Sequence, residues 1–380
     1  MKRLIAALLV LCLCFTVTGC FNTQMQNEDY SALISGFESN FTITPKYYSL
    51  LSDAEKAAYI NIIHAINNFE SVAEAPKLSN DSLDKVTTAV SYDNPEFFWL
   101  AKSWTITRYV GKSEIEIPYL FTPQKRAEMT AELEAKVSRI LSGVYSTMTD
   151  YDKELYLHNT LVGNCTYEMG ATDDNAYTVY GALVEGTAVC EGYARAMQLL
   201  LSRVGINSYL ITGTALDHNG QFANHMWNIV ELDSGDYHLD ATWNDPRTES
   251  NFEAVWHTYF NLSDEEIMRD HSFELETNCS TVKENYHRKN FIYYDSFDSA
   301  DFVDELADMI YRAKRSRDEF IEIRFSNQEA FLSAMTSLFQ NRLINSAIQR
   351  AVSRYGSAAK VQSVSYSKID TQFTIGIKLS

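Results

Sequence analysis

Apolar and polar positions change their spacing several times along the chain, and each change marks an element. Residues 4–17 form an apolar stretch behind Lys2 and Arg3 that runs into Thr18-Gly19-Cys20. It is too short for a permanent membrane span and has the charged flank and small-residue end of a cleavable export signal. Residues 22–40 are polar without a clear period and read as a tether. Helical spacing dominates from 45 to 148. Ser52 and Glu55 form a capping box ahead of Ala58, Ile62, Ala65, Ile66 and Phe69, in a helix that ends before Pro76. Residues 97–110 and 115–119 are expected to pair as a β-hairpin around Gly111-Lys112. Asp93-Asn94-Pro95-Glu96 then makes a turn into a buried strand carrying Phe97, Phe98 and Trp99. Thr122 as N-cap and Pro123 at the first helical position open a second helix, with Met129, Leu133, Val137 and Ile140 on one face.

The centre of the chain reads as one helix followed by a hairpin. From Cys190 the positions Ala194, Met197, Leu201 and Val204 recur at helical spacing until Gly205 stops the helix. Residues 222–232 and 236–243 are strands joined by Asp233-Ser234-Gly235. Beyond 286, residues 291–294 and 320–325 read as strands, and Phe302, Leu306, Met309, Ile310 and Ala313 as a helix face. Ser326 and Glu329 cap a further helix that runs to Tyr355 and stops at Gly356, and two strands close the chain. The chain thus divides into an export signal (1–19), a tether (20–44), a mainly helical N-terminal domain with a β-hairpin (45–148), a central domain (149–285) and a small α+β C-terminal domain (286–380). The fold class is α+β.

Composition narrows the function. With 380 residues the chain has room for two or three domains with cores of their own, so no disulfide scaffold is needed. Its 50 acidic against 32 basic residues give a net charge of -18, which excludes a counterion-displacing nucleic-acid surface. The small residue before Cys20 resembles the lipobox of bacterial lipoproteins, in which the Cys receives lipid and becomes the new N-terminus. That resemblance implies a mature protein outside the cytoplasm, anchored to the membrane through Cys20. Losing residues 1–19, with two positive and no negative charges, takes the net charge from -18 to -20. The alternative is a conventional cut that leaves Cys20 an ordinary thiol. Cys165, Cys190 and Cys279 remain in the mature chain, either as a Cys165–Cys279 disulfide with Cys190 free or as three free thiols.

Cys190 sits at the inner, N-terminal end of its helix, where unpaired N–H groups and the helix dipole favour a thiolate and can hold an oxyanion. If the hairpin turns on Asp233-Ser234, His225 faces Thr242, and Asp240 is its diagonal neighbour on the same face. A turn one residue later demands a bulge. A thiol, an imidazole to carry its proton and a carboxylate to orient that imidazole make a nucleophilic triad. The remaining polar residues read as structural. His158, His218, His257 and His271 are scattered, Asp245 before Pro246 caps a turn, and Trp227 and Trp243 pack the hairpin. His238-x-Asp240 is the one metal-like pattern, but without a His-Glu-x-x-His or paired-Cys motif neither a metal nor a cofactor is expected.

Three blocks carry a family resemblance. Tyr180-Gly181-Ala182-Leu183-Val184-Glu185-Gly186-Thr187-Ala188-Val189-Cys190-Glu191-Gly192-Tyr193-Ala194-Arg195-Ala196, Asn224-His225-Met226-Trp227-Asn228 and Tyr237-His238-Leu239-Asp240-Ala241-Thr242-Trp243 resemble, in order, the Cys, His and Asp segments of the bacterial transglutaminase-like superfamily. The resemblance runs from about Tyr151 to His271 and implies a papain-like core, a Cys helix packed on an antiparallel sheet. It further implies Cys190 as nucleophile, His225 as general base and acid, and Asp240 as the orienting residue. Met226 stands where the family has a small residue, and Tyr180 is a candidate second oxyanion donor. The implied activity is acyl transfer from peptide or glutamine-type carboxamide bonds through a thioester on Cys190. Water as acceptor makes a peptidase or amidase, the reading favoured for an exported thioester, and an amine makes a cross-linking transglutaminase. A non-catalytic cell-surface binding module on the same fold is the reading from another class. The implied partners are a protein or peptide substrate and the membrane, with no nucleic acid.

Overall fold

The computed structural model describes residues 29–42, 44–217, 220–245, 254–316 and 319–380. The export signal, Cys20, His218 and Pro246 lie outside these residues. Part of the expected tether does not. Ser31–Glu38 is a helix, α1, with Ile34 buried and Phe37 packed edge-on to Phe41 at 5.1 Å and to Tyr59 at 6.1 Å. Three apolar residues at helical spacing suffice to seat it on the core, although the stretch around them is polar.

The N-terminal region then contains α2 (Asp53–Asn68), β1 (Val72–Pro76), α3 (Asn80–Asp93), β2 (Thr105–Arg108), β3 (Lys112–Glu116) and α4 (Pro123–Leu141). The Ser52–Glu55 capping box forms, with Ser52 N–H donating to Glu55 Oε2 at 2.8 Å, and Thr122 accepts from Lys125 N–H at the head of α4. The hairpin is shorter than its sequence suggests, and β1 joins it to give a three-stranded sheet in the order β1-β3-β2. Phe97, Phe98 and Trp99 are not a strand. They form a turn whose rings pack on one another and on Tyr180, with Phe98 stacked on the Tyr180 ring at 5.4 Å. Pro95 just before them breaks the alternation that a paired strand needs.

The central region holds α5 (Asp150–Asn164), α6 (Cys190–Arg203) and the strands β4 (Asn207–Leu216), β5 (Phe222–Leu232), β6 (Gly235–Leu239), β7 (Phe260–Leu262) and β8 (His271–Phe273). They form one antiparallel sheet in the order β8-β4-β5-β6-β7. The helix that begins at Cys190 lies on this sheet: Ala194 packs against Leu210 and Met226, and Asn228 Nδ2 donates to the Ala194 carbonyl at 2.9 Å. Leu232 pairs with Gly235, so the β5–β6 turn is the two-residue Asp233-Ser234 form. The core is continuous from Ile34 through α2, α5 and α6 to Phe260, and so joins the N-terminal helices to the helix bearing the thiol.

The C-terminal unit has a core of its own built around Phe302, Ile310, Phe325, Phe331 and Ile375. Its sheet contains β9 (Tyr293–Tyr294), β10 (Phe320–Phe325), β11 (Val364–Ile369) and β12 (Thr374–Leu379), in the order β9-β10-β12-β11. α7 (Ser299–Arg315) matches the expected face. The long helix expected from Ser326 to Tyr355 is instead two helices, α8 (Gln328–Met335) and α9 (Leu343–Tyr355), separated by a wide turn and by Arg342 at φ +60°. Its cap is Asn327, whose side chain accepts from Ala330 N–H at 2.9 Å, not Ser326.

Candidate active site

Cys190 is the first residue of α6 and is only partly covered, packed against the cluster of Ala194, Leu210 and Met226. The first turn of this helix is pressed tightly against the loop before it. A Cβ on Gly192 would lie 2.6 Å from the Ala176 carbonyl oxygen and 2.8 Å from the Ala188 Cβ, so only glycine lets the chain close there. Glu191 accepts from Lys102 Nζ at 2.9 Å and from Arg195 Nε at 3.0 Å, and Arg195 also donates to Ser91. These contacts tie the thiol-bearing turn to the N-terminal region.

His225 lies on β5, paired across the sheet with Gly213, whose missing side chain leaves room for the Ser272 carbonyl. Its Nε2 is 2.6 Å from Asp240 Oδ2, and the Cys190 thiol lies within electrostatic reach of the ring. One nitrogen therefore serves the carboxylate and the other is left for the sulfur. Burial opposes charge on this imidazole, but the Asp240 carboxylate and Cys190 outweigh it and raise His225 to about 10. Trp227 stacks beside the ring at 5.8 Å and Trp243 meets it edge-on at 6.0 Å, a closer role than hairpin packing alone. Asp240 follows directly on β6 and is fully buried. Its Oδ1 accepts from the Thr242 and Trp243 N–H groups at 2.9 and 3.1 Å. Burial opposes its charge too, yet His225 and His271 hold it well below the usual carboxylate range.

The structure thus brings Cys190, His225 and Asp240 together. It adds His271, whose sequence context marks it only as structural, and Asp270. His271, at the start of β8, approaches Asp240 Oδ2 through Nε2 at 3.1 Å, and its Nδ1 is 2.7 Å from Asp270 Oδ1. No local spacing points to this pair, because β8 reaches the site only by crossing to the far edge of the sheet beside β4.

Residues 139–241 match the model of the transglutaminase-like superfamily. This segment is a transglutaminase-like domain. The match takes in Cys190, His225 and Asp240 and stops before His271. Similar solved structures include a TGase at 11% identity and a TM-score of 0.27, over 45% of this chain and 51% of that one. A candidate protease from Parabacteroides distasonis is 13% identical over 37% of this chain and 30% of its own, with a TM-score of 0.23. A candidate cysteine protease from Cytophaga hutchinsonii is 14% identical over 37% of this chain and 61% of its own, with a TM-score of 0.24. The chain spans about half the length of the TGase structure. Comparison with curated proteins gave no match.

Other expectations for the transglutaminase-like domain change. Tyr180 is not turned to the thiol, because its hydroxyl donates to Glu132. Burial, and then the charges of Cys190 and Asp240, push the Tyr167 phenol up to about 12. Cys165 and Cys279 do not pair. Both are buried thiols in separate clusters, outside any disulfide, with Cys279 among Tyr209, Trp227 and Ile229. Asp245, expected to cap a turn, accepts from the Tyr193 hydroxyl at 2.5 Å beneath α6.

Among the described residues, two groups of side chains have the composition of a metal site. In the first, His238 Nδ1 accepts from the Trp227 indole N–H at 2.9 Å, so the ring proton sits on Nε2, which donates to Asp264 at 2.8 Å. No ring lone pair is left for an ion, and burial pushes the neighbouring Cys279 thiol up, away from the thiolate a metal needs. The second is His225, Asp240 and His271. Tetrahedral zinc with bonds of about 2.0–2.1 Å spaces its ligand atoms about 3.3 Å apart, whereas His225 Nε2 and Asp240 Oδ2 stand at a proton-sharing 2.6 Å.

Proposed function

We propose that the chain is a cysteine-dependent acyl-transfer enzyme, acting on peptide or glutamine-type carboxamide bonds and passing its acyl group mainly to water. The observation that carries this reading is a single imidazole shared between a thiol at the head of a helix and a buried carboxylate 2.6 Å away. In the first half-reaction His225 holds the Cys190 proton while the thiolate sulfur attacks the carbonyl carbon. The oxyanion is met by the free N–H groups of the first turn of α6. Collapse of the intermediate breaks the C–N bond, His225 returns the proton to the leaving amine, and a thioester remains. In the second half-reaction His225 deprotonates the incoming water, which attacks the thioester and releases the acid and the free thiol. An amine arriving in place of water would yield a new amide, the cross-linking outcome. The export signal and Cys20 are the support for a further part of the reading, that this chemistry takes place outside the cytoplasm on a lipid-anchored protein. Loss of fatty-acid labelling in Cys20→Ala tests that part.

The test of the activity is trapping of the acyl-enzyme. Glutamine-containing peptides are incubated with the protein, with and without a labelled primary amine, and Cys190 is followed by mass spectrometry. The expected results are an acyl adduct on Cys190, release of ammonia or of a cleaved peptide, and no product from Cys190→Ala. Dominant labelling by the amine would move the assignment to transglutaminase. A Cys190 that forms no adduct with any acyl donor, in a folded protein, would favour the binding module.

A further inference from the structure

Asp240 carries more hydrogen bonds than orienting one imidazole requires. Its Oδ1 takes two backbone N–H groups, and its Oδ2 is shared by His225 at 2.6 Å and His271 at 3.1 Å. His271 is in turn held on both sides. Carboxylates accept and do not donate, so contacts from Nε2 to Asp240 and from Nδ1 to Asp270 at 2.7 Å require a proton on each ring nitrogen. His271 is then an imidazolium seated between two carboxylates, all three side chains buried. The contacts continue beyond Asp270. Its Oδ2 accepts from the Tyr259 hydroxyl at 2.8 Å, from the Thr371 hydroxyl at 2.6 Å and from Gln372 Nε2 at 2.9 Å. Thr371 and Gln372 form the turn between β11 and β12 of the C-terminal unit. Gln372 is itself fixed, donating to the Glu266 carbonyl at 3.0 Å and accepting from the buried Arg324 at 2.6 Å.

We infer that His271 is a positioning residue for the acyl transfer: it fixes Asp240, and through it His225, and the Thr371–Gln372 turn of the C-terminal unit holds it in place by way of Asp270. The inference rests on the reading of Cys190 and His225 as a reactive pair. It gives the C-terminal unit a part in the chemistry that no motif within that unit shows. The groups that face His271 are Asp240, Asp270, His225 and Tyr259, with Trp227 and Trp243 closing the ring on its remaining sides. Water has little access, since the side chain is buried, so a lost N–H at this point is not replaced from solvent.

The test compares His271→Gln, which keeps bulk and an N–H donor, with His271→Leu, which keeps bulk alone, in the full chain. The rate of Cys190 alkylation by iodoacetamide is followed from pH 5 to 9 by peptide mapping, beside the thermal midpoint of each variant. A donor role predicts that the Leu variant loses about tenfold in rate at pH 6 with its acid limb moved to higher pH, while the Gln variant stays within about threefold of the parent. Equal profiles in parent, Gln and Leu variants, or equal losses in Gln and Leu that follow their melting temperatures, would overturn it. Should the Leu variant not fold, Asp270→Asn decides: a lowered rate at pH 6 supports the inference, and a parent-like profile ends it. A parent no more reactive than His225→Ala would instead take down the reactive pair itself, and this inference with it.

Discussion

At the scale of single residues, the site is a balance between burial and paired charge, and the balance can be tipped. Burial alone lowers the pKa of His225, and the Asp240 carboxylate reverses that pull. Asp240→Asn should therefore bring the His225 ring from about 10 to below its ordinary 6.5, read from the pH titration of its ring proton by NMR. The same shift carries stability. A raised His225 contributes fully below pH 6.5 and its contribution fades as the pH climbs through about 10, whereas the lowered Asp240 contributes above about pH 4 and fails in acid. Denaturant midpoints should thus fall between pH 7 and 10 in the parent, and that fall should flatten in Asp240→Asn. Cys190, His225 and Asp240 were legible because each stands in a block with a definite neighbourhood and the hairpin parity puts the last two on one face. His271 was not legible, because its partner is set by sheet order rather than by spacing.

At the scale of elements, a periodic apolar face marks α2, α4 and α6 in the sequence, and α2 and α4 carry a side-chain cap as well. The failures have physical causes. α3 has a Ser79 cap and buries Leu83, Val86, Ala89 and Val90, but its mixed polar face hides the period. The helix expected to run through to Tyr355 gives way to a wide turn at Thr336–Gln340 and to a left-handed φ at Arg342, a residue type that carries no break signal. The glycine-dependent closure at the head of α6 yields a prediction at this scale. Gly192→Ala should cost about 1–3 kcal/mol in denaturant unfolding, because the clash is with a backbone carbonyl that cannot step aside, and it should slow Cys190 by displacing the first turn.

At the scale of the whole molecule, the transglutaminase-like domain is enclosed from both sides. The N-terminal helices share its core, and the C-terminal unit is fastened to it by buried polar contacts. Glu322 on β10 accepts from His257 N–H at 2.9 Å and from the Thr258 hydroxyl at 2.8 Å and pairs with His287 at 3.0 Å, while Arg324 donates to the Thr258 carbonyl at 3.0 Å. Removing one member of such a set strands the others without water. Glu322→Leu is expected to lose about 3–5 kcal/mol of stability, measured by equilibrium unfolding. Little of this fastening is visible in the sequence, since Glu322 and Arg324 read simply as polar positions in an otherwise apolar strand.

The chemistry turns on activation of Cys190 by His225. Its most direct test is the rate of iodoacetamide alkylation at Cys190 against pH, in the parent and in His225→Ala. The expected result is a parent that reacts readily at pH 6, about tenfold or more ahead of the variant, with the difference closing as the pH rises. Coincident profiles in two folded proteins would contradict it.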